Sequence, residues 1–113
     1  MDEYKVKVTR QAKEHLALIR EYIATELKGP IIAKRMLELL KSEMTSLQTM
    51  PYRVKCIDEQ PWGELGFRKI RVKNYYVYFW VDENKREVQI LAVIYARRDQ
   101  ATQLEQLLSL IHI

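Results

Sequence analysis

Between Gly66 and Gln100 the chain runs GFRKIRVKNYYVYFWVDENKREVQILAVIYARRDQ, a stretch that leaves room for little except three consecutive β-strands. Lys69–Lys73 alternates strictly between basic and apolar residues. Successive strand side chains point to opposite sides, so Ile70 and Val72 share one face while Lys69, Arg71 and Lys73 form a row of cations on the other. Tyr75–Val81 is β-branched or aromatic throughout, with Val77, Phe79 and Val81 alternating with Tyr76, Tyr78 and Trp80. That is the composition of a central strand covered on both faces. Asp82-Glu83-Asn84-Lys85 makes a polar turn, and Glu87–Tyr95 returns as a third apolar strand to complete a hairpin. Arg97 and Arg98 follow where that strand leaves the sheet.

The same stretch holds the excess charge. It carries eight basic residues against four acidic ones, a net of +4, which is also the net charge of all 113 residues. The remainder is neutral, so attraction for an acidic partner, whether nucleic acid or protein, is centred on the sheet. With 48% hydrophobic residues, a chain of 113 is expected to form a single domain over residues 1–113. Such a domain buries roughly two-thirds of its unfolded surface. The N-terminal MDEYKVKVTR is charged, and no window reaches the ~18–20 uninterrupted apolar residues of a membrane span. The expectation is a cytoplasmic protein with neither a signal peptide nor a transmembrane helix. Cys56 is the one cysteine and has no Cys or paired His at metal-ligand spacing, so it reads as a reduced structural thiol. No metal and no cofactor are expected.

Around the sheet, Tyr4–Thr9 alternates as a short edge strand. Thr9 is placed to N-cap a helix whose apolar residues Ala12, Leu16, Ile19, Ile23 and Leu27 fall three and four apart. Lys28-Gly29-Pro30 breaks that helix, Gly29 suiting a C-terminal cap and Pro30 the first turn of a second helix. So short a loop makes an antiparallel helical hairpin. The second helix shows Ala33, Leu37, Leu40, Met44 and Leu47 at the same spacing, and Pro51 limits it near Thr49. Pro51–Leu65 has no sustained period and links the helices to the sheet, with Trp62 as a lid over the core. Gln100–Ile113 places Leu104, Leu107, Leu108 and Ile111 on one face of a C-terminal helix. The order β-α-α-β-β-β-α predicts an α+β fold, with the short N-terminal strand and helical hairpin packed on one face of a mainly antiparallel sheet.

A row of cations on a strand face suits a phosphate-bearing target. Phosphodiester cleavage needs stabilisation of charge on the phosphoryl oxygens, which lysine and arginine supply without a metal. Arginine cannot serve as a base, so of Lys69 and Arg71 only Lys69, as a neutral amine, could take up a proton. The plainer alternative is that Lys69, Arg71 and Lys73 form a solvated strand face and Arg97-Arg98 a solvated turn. Tyr76 is the aromatic residue assigned to the site, where it could stack on an unpaired base, while Tyr78 and Trp80 are assigned to the core. His15 and His112 are assigned to the surface. There is no Gly-rich phosphate loop and no Ser-His-Asp arrangement.

The short strand, the hairpin broken at Gly29-Pro30 and the runs FRKIRVKNYYVYFWVD and VQILAVIYARRDQ together resemble the RelE/ParE superfamily, toxins of bacterial type II toxin–antitoxin modules that include plasmid stabilisation systems. The resemblance extends from about Tyr4 to Leu108. It implies the α+β fold above and a cognate acidic antitoxin as partner. RelE-like members cut messenger RNA on the ribosome by attack of a ribose 2′-hydroxyl on the adjacent phosphate; ParE-like members poison DNA gyrase. By position, the resemblance implies proton transfer and phosphate binding for Lys69 and Arg71, and transition-state stabilisation for Arg98. Lys73, Tyr76 and Arg97 would contact the nucleic acid or other target. This chain departs from the RelE pattern twice, with Tyr76 where a catalytic arginine stands and Leu104 where a catalytic tyrosine stands. Leucine has no proton to give, which shifts the expectation narrowly toward gyrase inhibition. A ribosome-dependent endoribonuclease and a degenerate, non-toxic relative are the alternatives.

Overall fold

The computed structural model describes residues 3–27 and 29–110, the last five by backbone alone. Its elements are β1 (Lys5–Val8), α1 (Arg10–Thr25), α2 (Pro30–Thr45), β2 (Arg68–Val72), β3 (Tyr75–Asp82), β4 (Glu87–Tyr95) and α3 (Gln100–Leu110), with 3-10 turns at Ser46–Gln48 and Pro51–Arg53. The sheet order is β1-β4-β3-β2. β1 runs parallel to β4, and the other two pairs are antiparallel.

α1 begins where the Thr9 hydroxyl accepts the Ala12 N–H at 3.2 Å, a cap of the kind whose loss costs about 1 kcal/mol. Gly29 serves both helices: its N–H donates to the Ile23 carbonyl at 3.3 Å at the end of α1, which closes at Glu26, and it is the N-cap of α2 with Pro30 at the first helical position. Leu27 therefore falls beyond the apolar stripe and is exposed. α2 stops at Thr45, short of the expected Thr49, and a 3-10 turn carries Leu47 into the core.

The two faces of the sheet support separate cores. On one, Val72, Val77, Phe79, Val81, Val88, Ile90 and Val93 meet Tyr4 and the helical hairpin through Ala12, Leu40 and Met44. On the other, Tyr78, Leu91, Ala92 and Ile94 are covered by Ile57, Trp62, Phe67 and Leu104. Trp62 is thus part of a core, as a lid should be. A β-bulge reconciles the pattern of β4 with both: Tyr78 pairs with Ala92 and Phe79 with Ile90, leaving Leu91 without a partner. Leu91 and Ala92 then face the same side, and the alternation resumes in the opposite phase.

β1 covers only Glu87–Ile90 of β4. Beyond that point α1 takes over the edge. Thr9 Oγ1 donates to the Leu91 carbonyl at 3.4 Å, and His15 Nδ1 accepts the Val93 N–H at 3.1 Å. His15 is therefore a half-buried residue of the helix–sheet junction, not a surface residue as its mid-helix position suggests. His112, Ile111 and the side chains of Leu107 and Leu108 lie outside the described residues.

Candidate functional site

The antiparallel register of β2 with β3 sets Lys69 opposite Tyr78 and Arg71 opposite Tyr76. These four residues lie on the sheet face away from the helical hairpin. Lys69 Nζ sits 4.2 Å from the centroid of the Tyr76 ring and 5.7 Å from that of Tyr78, and 3.6 Å from Glu59 Oε2. Arg71 Cζ lies 5.5 Å from the same Tyr76 ring. Tyr76 is thus flanked by two cations, and Lys69 is held between a π face and a carboxylate. Arg71 is exposed and fixes its orientation by donating Nε–H to the Lys73 carbonyl at 2.9 Å.

Glu59 was not among the residues singled out from the sequence. It belongs to the aperiodic linker, which folds back along the start of β2 through a Cys56–Arg68 bridge and a 2.9 Å bond from the Ile57 N–H to the Phe67 carbonyl. That return brings Glu59 to Lys69. The signal in the sequence is only an acid in a loop, and no local period marks it.

Lys73 leaves the row of cations. β2 ends at Val72, which pairs with Tyr75, so Lys73 and Asn74 form a two-residue turn with Lys73 at a φ of 55°. The strand alternation stops one residue early, and the expected three-cation face has two members. Arg97 and Arg98 are exposed beyond β4. Among the described residues no hydrogen bond, ion pair or ring contact links Arg98 to Lys69 or Arg71. The charge of Arg98 bears instead on His15: burial lowers the pKa of His15, with Glu14 opposing and Arg98 adding to the effect.

Tyr78 is fully buried and donates its hydroxyl to Gln100 Oε1 at 2.7 Å. Burial, with Glu59 and Tyr76 adding, pushes that hydroxyl's pKa well up, so it remains a donor. Gln100 Nε2 in turn donates to the Tyr95 and Arg98 carbonyls at 2.9 and 2.8 Å, which ties the start of α3 to the end of β4. Leu104, one turn on, is 0% exposed and packs into the core under α3. Trp80 is half-buried against that core, its indole beside Gly66, whose φ of +93° and missing Cβ allow the close approach. The Trp62 indole N–H is buried with no hydrogen-bond partner among the described residues.

No three His, Cys, Asp or Glu side chains among the described residues are grouped as a metal would need. No described helix is long and apolar enough to cross a membrane.

This architecture is shared with known toxins. The chain is similar to a chain of the chromosomal ParDE toxin–antitoxin system of P. aeruginosa, at 21% identity and a TM-score of 0.71, over 86% of this chain and 100% of that one. It is similar to a chain of the RelBE2 toxin–antitoxin complex of Mycobacterium tuberculosis, with 21% identity, a TM-score of 0.61 and coverage of 82% and 98%. A doubly substituted form of the E. coli toxin RelE in the free state matches at 16% identity and a TM-score of 0.59, covering 92% and 97%. No curated protein matches the chain at a significant level. Residues 6–100 match the family model described as the ParE toxin of the type II toxin–antitoxin system parDE. With that match spanning most of its length, and with the fold of the ParDE and RelBE toxins, the chain belongs to the ParE toxin family.

Proposed function

We propose that this toxin acts by binding DNA gyrase rather than by cutting messenger RNA, and that a small acidic antitoxin silences it. The observation that carries this reading is Leu104. The position where a RelE-like enzyme needs a proton donor is here a leucine, fully buried among Tyr78, Ala92 and Ile94. A second observation points the same way: Lys69, the residue with any capacity to act as a base, is engaged by Glu59 and by the Tyr76 ring. The ribonuclease alternative draws its support from Lys69 and Arg71 sharing one face.

The antitoxin reading rests on charge and shape. The chain is +4 overall. Between α1 and α2 an open groove of about 970 Å³ has Leu16, Ala17, Ala33 and Leu37 among its lining, with Arg20 and Lys34 also contributing. An amphipathic helix flanked by acidic residues suits such a groove, laying its apolar face down and its charges against the rim. The P. aeruginosa and M. tuberculosis neighbours both come from toxin–antitoxin systems.

Two assays side by side test the target. Purified toxin is expected to inhibit supercoiling by purified gyrase, and primer extension on messenger RNA from expressing cells is expected to show no codon-spaced cuts. Reproducible cuts that vanish in Lys69→Ala or Arg98→Ala, with gyrase unaffected, would overturn the reading. An electrostatic nuclease would lose about 10²–10³-fold in rate for each donor removed.

A further inference from the structure

Tyr95 ends β4 and Gln100 opens α3, and residues 96–99 between them carry Arg97 and Arg98. Both arginines are exposed, and among the described residues neither guanidinium has a hydrogen bond or an ion pair. Where each guanidinium emerges is therefore set by the backbone beneath it. Two backbone bonds hold that segment: the Ala96 N–H donates to the Asn74 carbonyl at 2.8 Å, and the Arg98 N–H donates to the Tyr95 carbonyl at 3.0 Å. Asp99 is directed forward into α3, where it accepts the Thr102 N–H at 3.3 Å and the Thr102 hydroxyl at 2.9 Å. What remains is the pair of carbonyls at Tyr95 and Arg98, and the Gln100 side chain takes both.

A primary amide has two N–H donors and a carbonyl acceptor. Gln100 uses all of them: Nε2 donates to the Tyr95 carbonyl at 2.9 Å and to the Arg98 carbonyl at 2.8 Å, and Oε1 accepts the Tyr78 hydroxyl at 2.7 Å. The two carbonyls can only accept, so the amide has one orientation, with Nε2 on the carbonyls and Oε1 toward Tyr78. Tyr78 is 0% exposed and packed with Ile57, Trp62, Phe67 and Leu104, in a close-packed core that holds its hydroxyl in place. The turn that carries the arginines thus hangs from the core by one side chain.

We infer that Gln100, oriented by Tyr78, is a positioning residue that sets the backbone from which Arg97 and Arg98 reach the toxin's target. The inference rests on the reading of this chain as a toxin whose action depends on Arg98, and it holds for either target. A segment already ordered in the free protein loses no freedom when the target binds, so the same guanidinium binds more tightly from a fixed backbone than from a loose one. Gln100 acts through the arginines, since its own amide is fully occupied inside the protein.

NMR relaxation on the purified full chain and growth of expressing cells test it together, with thermal melts of each variant and immunoblots to fix the amount of toxin present. In Gln100→Ala the backbone order parameters of Arg97, Arg98 and Asp99 should fall from about 0.85 to below about 0.6, and the toxin level that halves growth should rise about tenfold. Gln100→Glu keeps the bond from Tyr78 but has no N–H to give, so it should behave as Gln100→Ala does, and it decides the matter if the alanine variant does not fold. Ile90→Val lowers the melting temperature from the core under the helical hairpin without touching the turn, and it should leave both readouts at the parent's values. Order retained at Arg98, or arrest at the parent's toxin level, in the Gln100 variants overturns the inference. So does arrest that simply follows melting temperature across all three variants. Arg98→Ala that arrests growth as the parent does also overturns it, because the turn would then hold nothing the toxin uses. Arrest that depends on Arg98 and Gln100 while purified gyrase goes uninhibited tells against the gyrase reading instead, and supports this one.

Discussion

His15 accepts a backbone N–H that lies past the reach of β1, and it can do so only while Nδ1 is unprotonated. Burial, reinforced by Arg98 and opposed by Glu14, lowers its pKa from 6.5 in the folded chain. The unfolded chain therefore takes up the proton first as pH falls. Stability is complete above about 6.5 and declines as pH drops through 6.5 toward the folded value. Melting temperature should fall between about pH 7 and about pH 5, and His15→Gln, which can accept without titrating, should flatten that fall. An equal fall in the variant would remove His15 as the cause. Glu83, held down chiefly by the Tyr52 and Tyr4 hydroxyls, and Glu87, held down chiefly by Lys7, act in a lower window. Their contributions are lost only as pH falls below their ordinary value of 4.5. None of this was legible locally. The partner of His15 lies 78 residues away, and a histidine beside an apolar stripe looks the same in sequence whether it faces water or a strand edge.

At the scale of elements, the helices were legible because their signal is local. Apolar residues three and four apart define a face wherever the helix packs, and Ala12, Ile23, Ala33, Leu40 and Met44 are all buried. Leu40 is 0% exposed in the hairpin-side core. Leu40→Ala should cost about 2–5 kcal/mol, whereas Leu18→Ala, out in solvent, should stay within about 0.5 kcal/mol of the parent. Denaturant midpoints with unchanged slopes give the comparison; a Leu40→Ala midpoint near that of the parent would mean the core closes over the gap. Element ends were harder to read. Pro30 opens the second helix as expected, but Gly29 does more than the cap read for it, donating to the Ile23 carbonyl at the end of α1 and also standing as the N-cap of α2. The early stop of β2 had a similar cause: pairing of Val72 with Tyr75 decides where the turn lies, and the alternating pattern runs one residue too far. The linker gave least, because Glu59 reaches Lys69 through a backbone return with no periodic signature.

Across the whole molecule, what the sequence displayed best was a sheet covered on both faces, since β3 and β4 are apolar at nearly every position. It did not display how the cations divide, two to the face under Tyr76 and three to the sheet end, because that depends on the turn at Lys73 and on where β4 exits. The bulge at Leu91 bears on a different question, which is how this gene tolerates a change in length. Losing one codon inside a strand ordinarily inverts every later side chain, sending core residues to water. Leu91 is the exception in β4, because Ala92 already points where Leu91 points and Val93 onward would keep their sides. A chain lacking Leu91 should fold with a lowered melting temperature from the lost side chain, whereas one lacking Val93 should not be recovered in soluble form. Equal recovery of the two deletions would show that the strand can slip. If the difference holds, the unpaired leucine marks the place where a codon can come and go without moving Arg97 and Arg98 to the wrong side of the sheet.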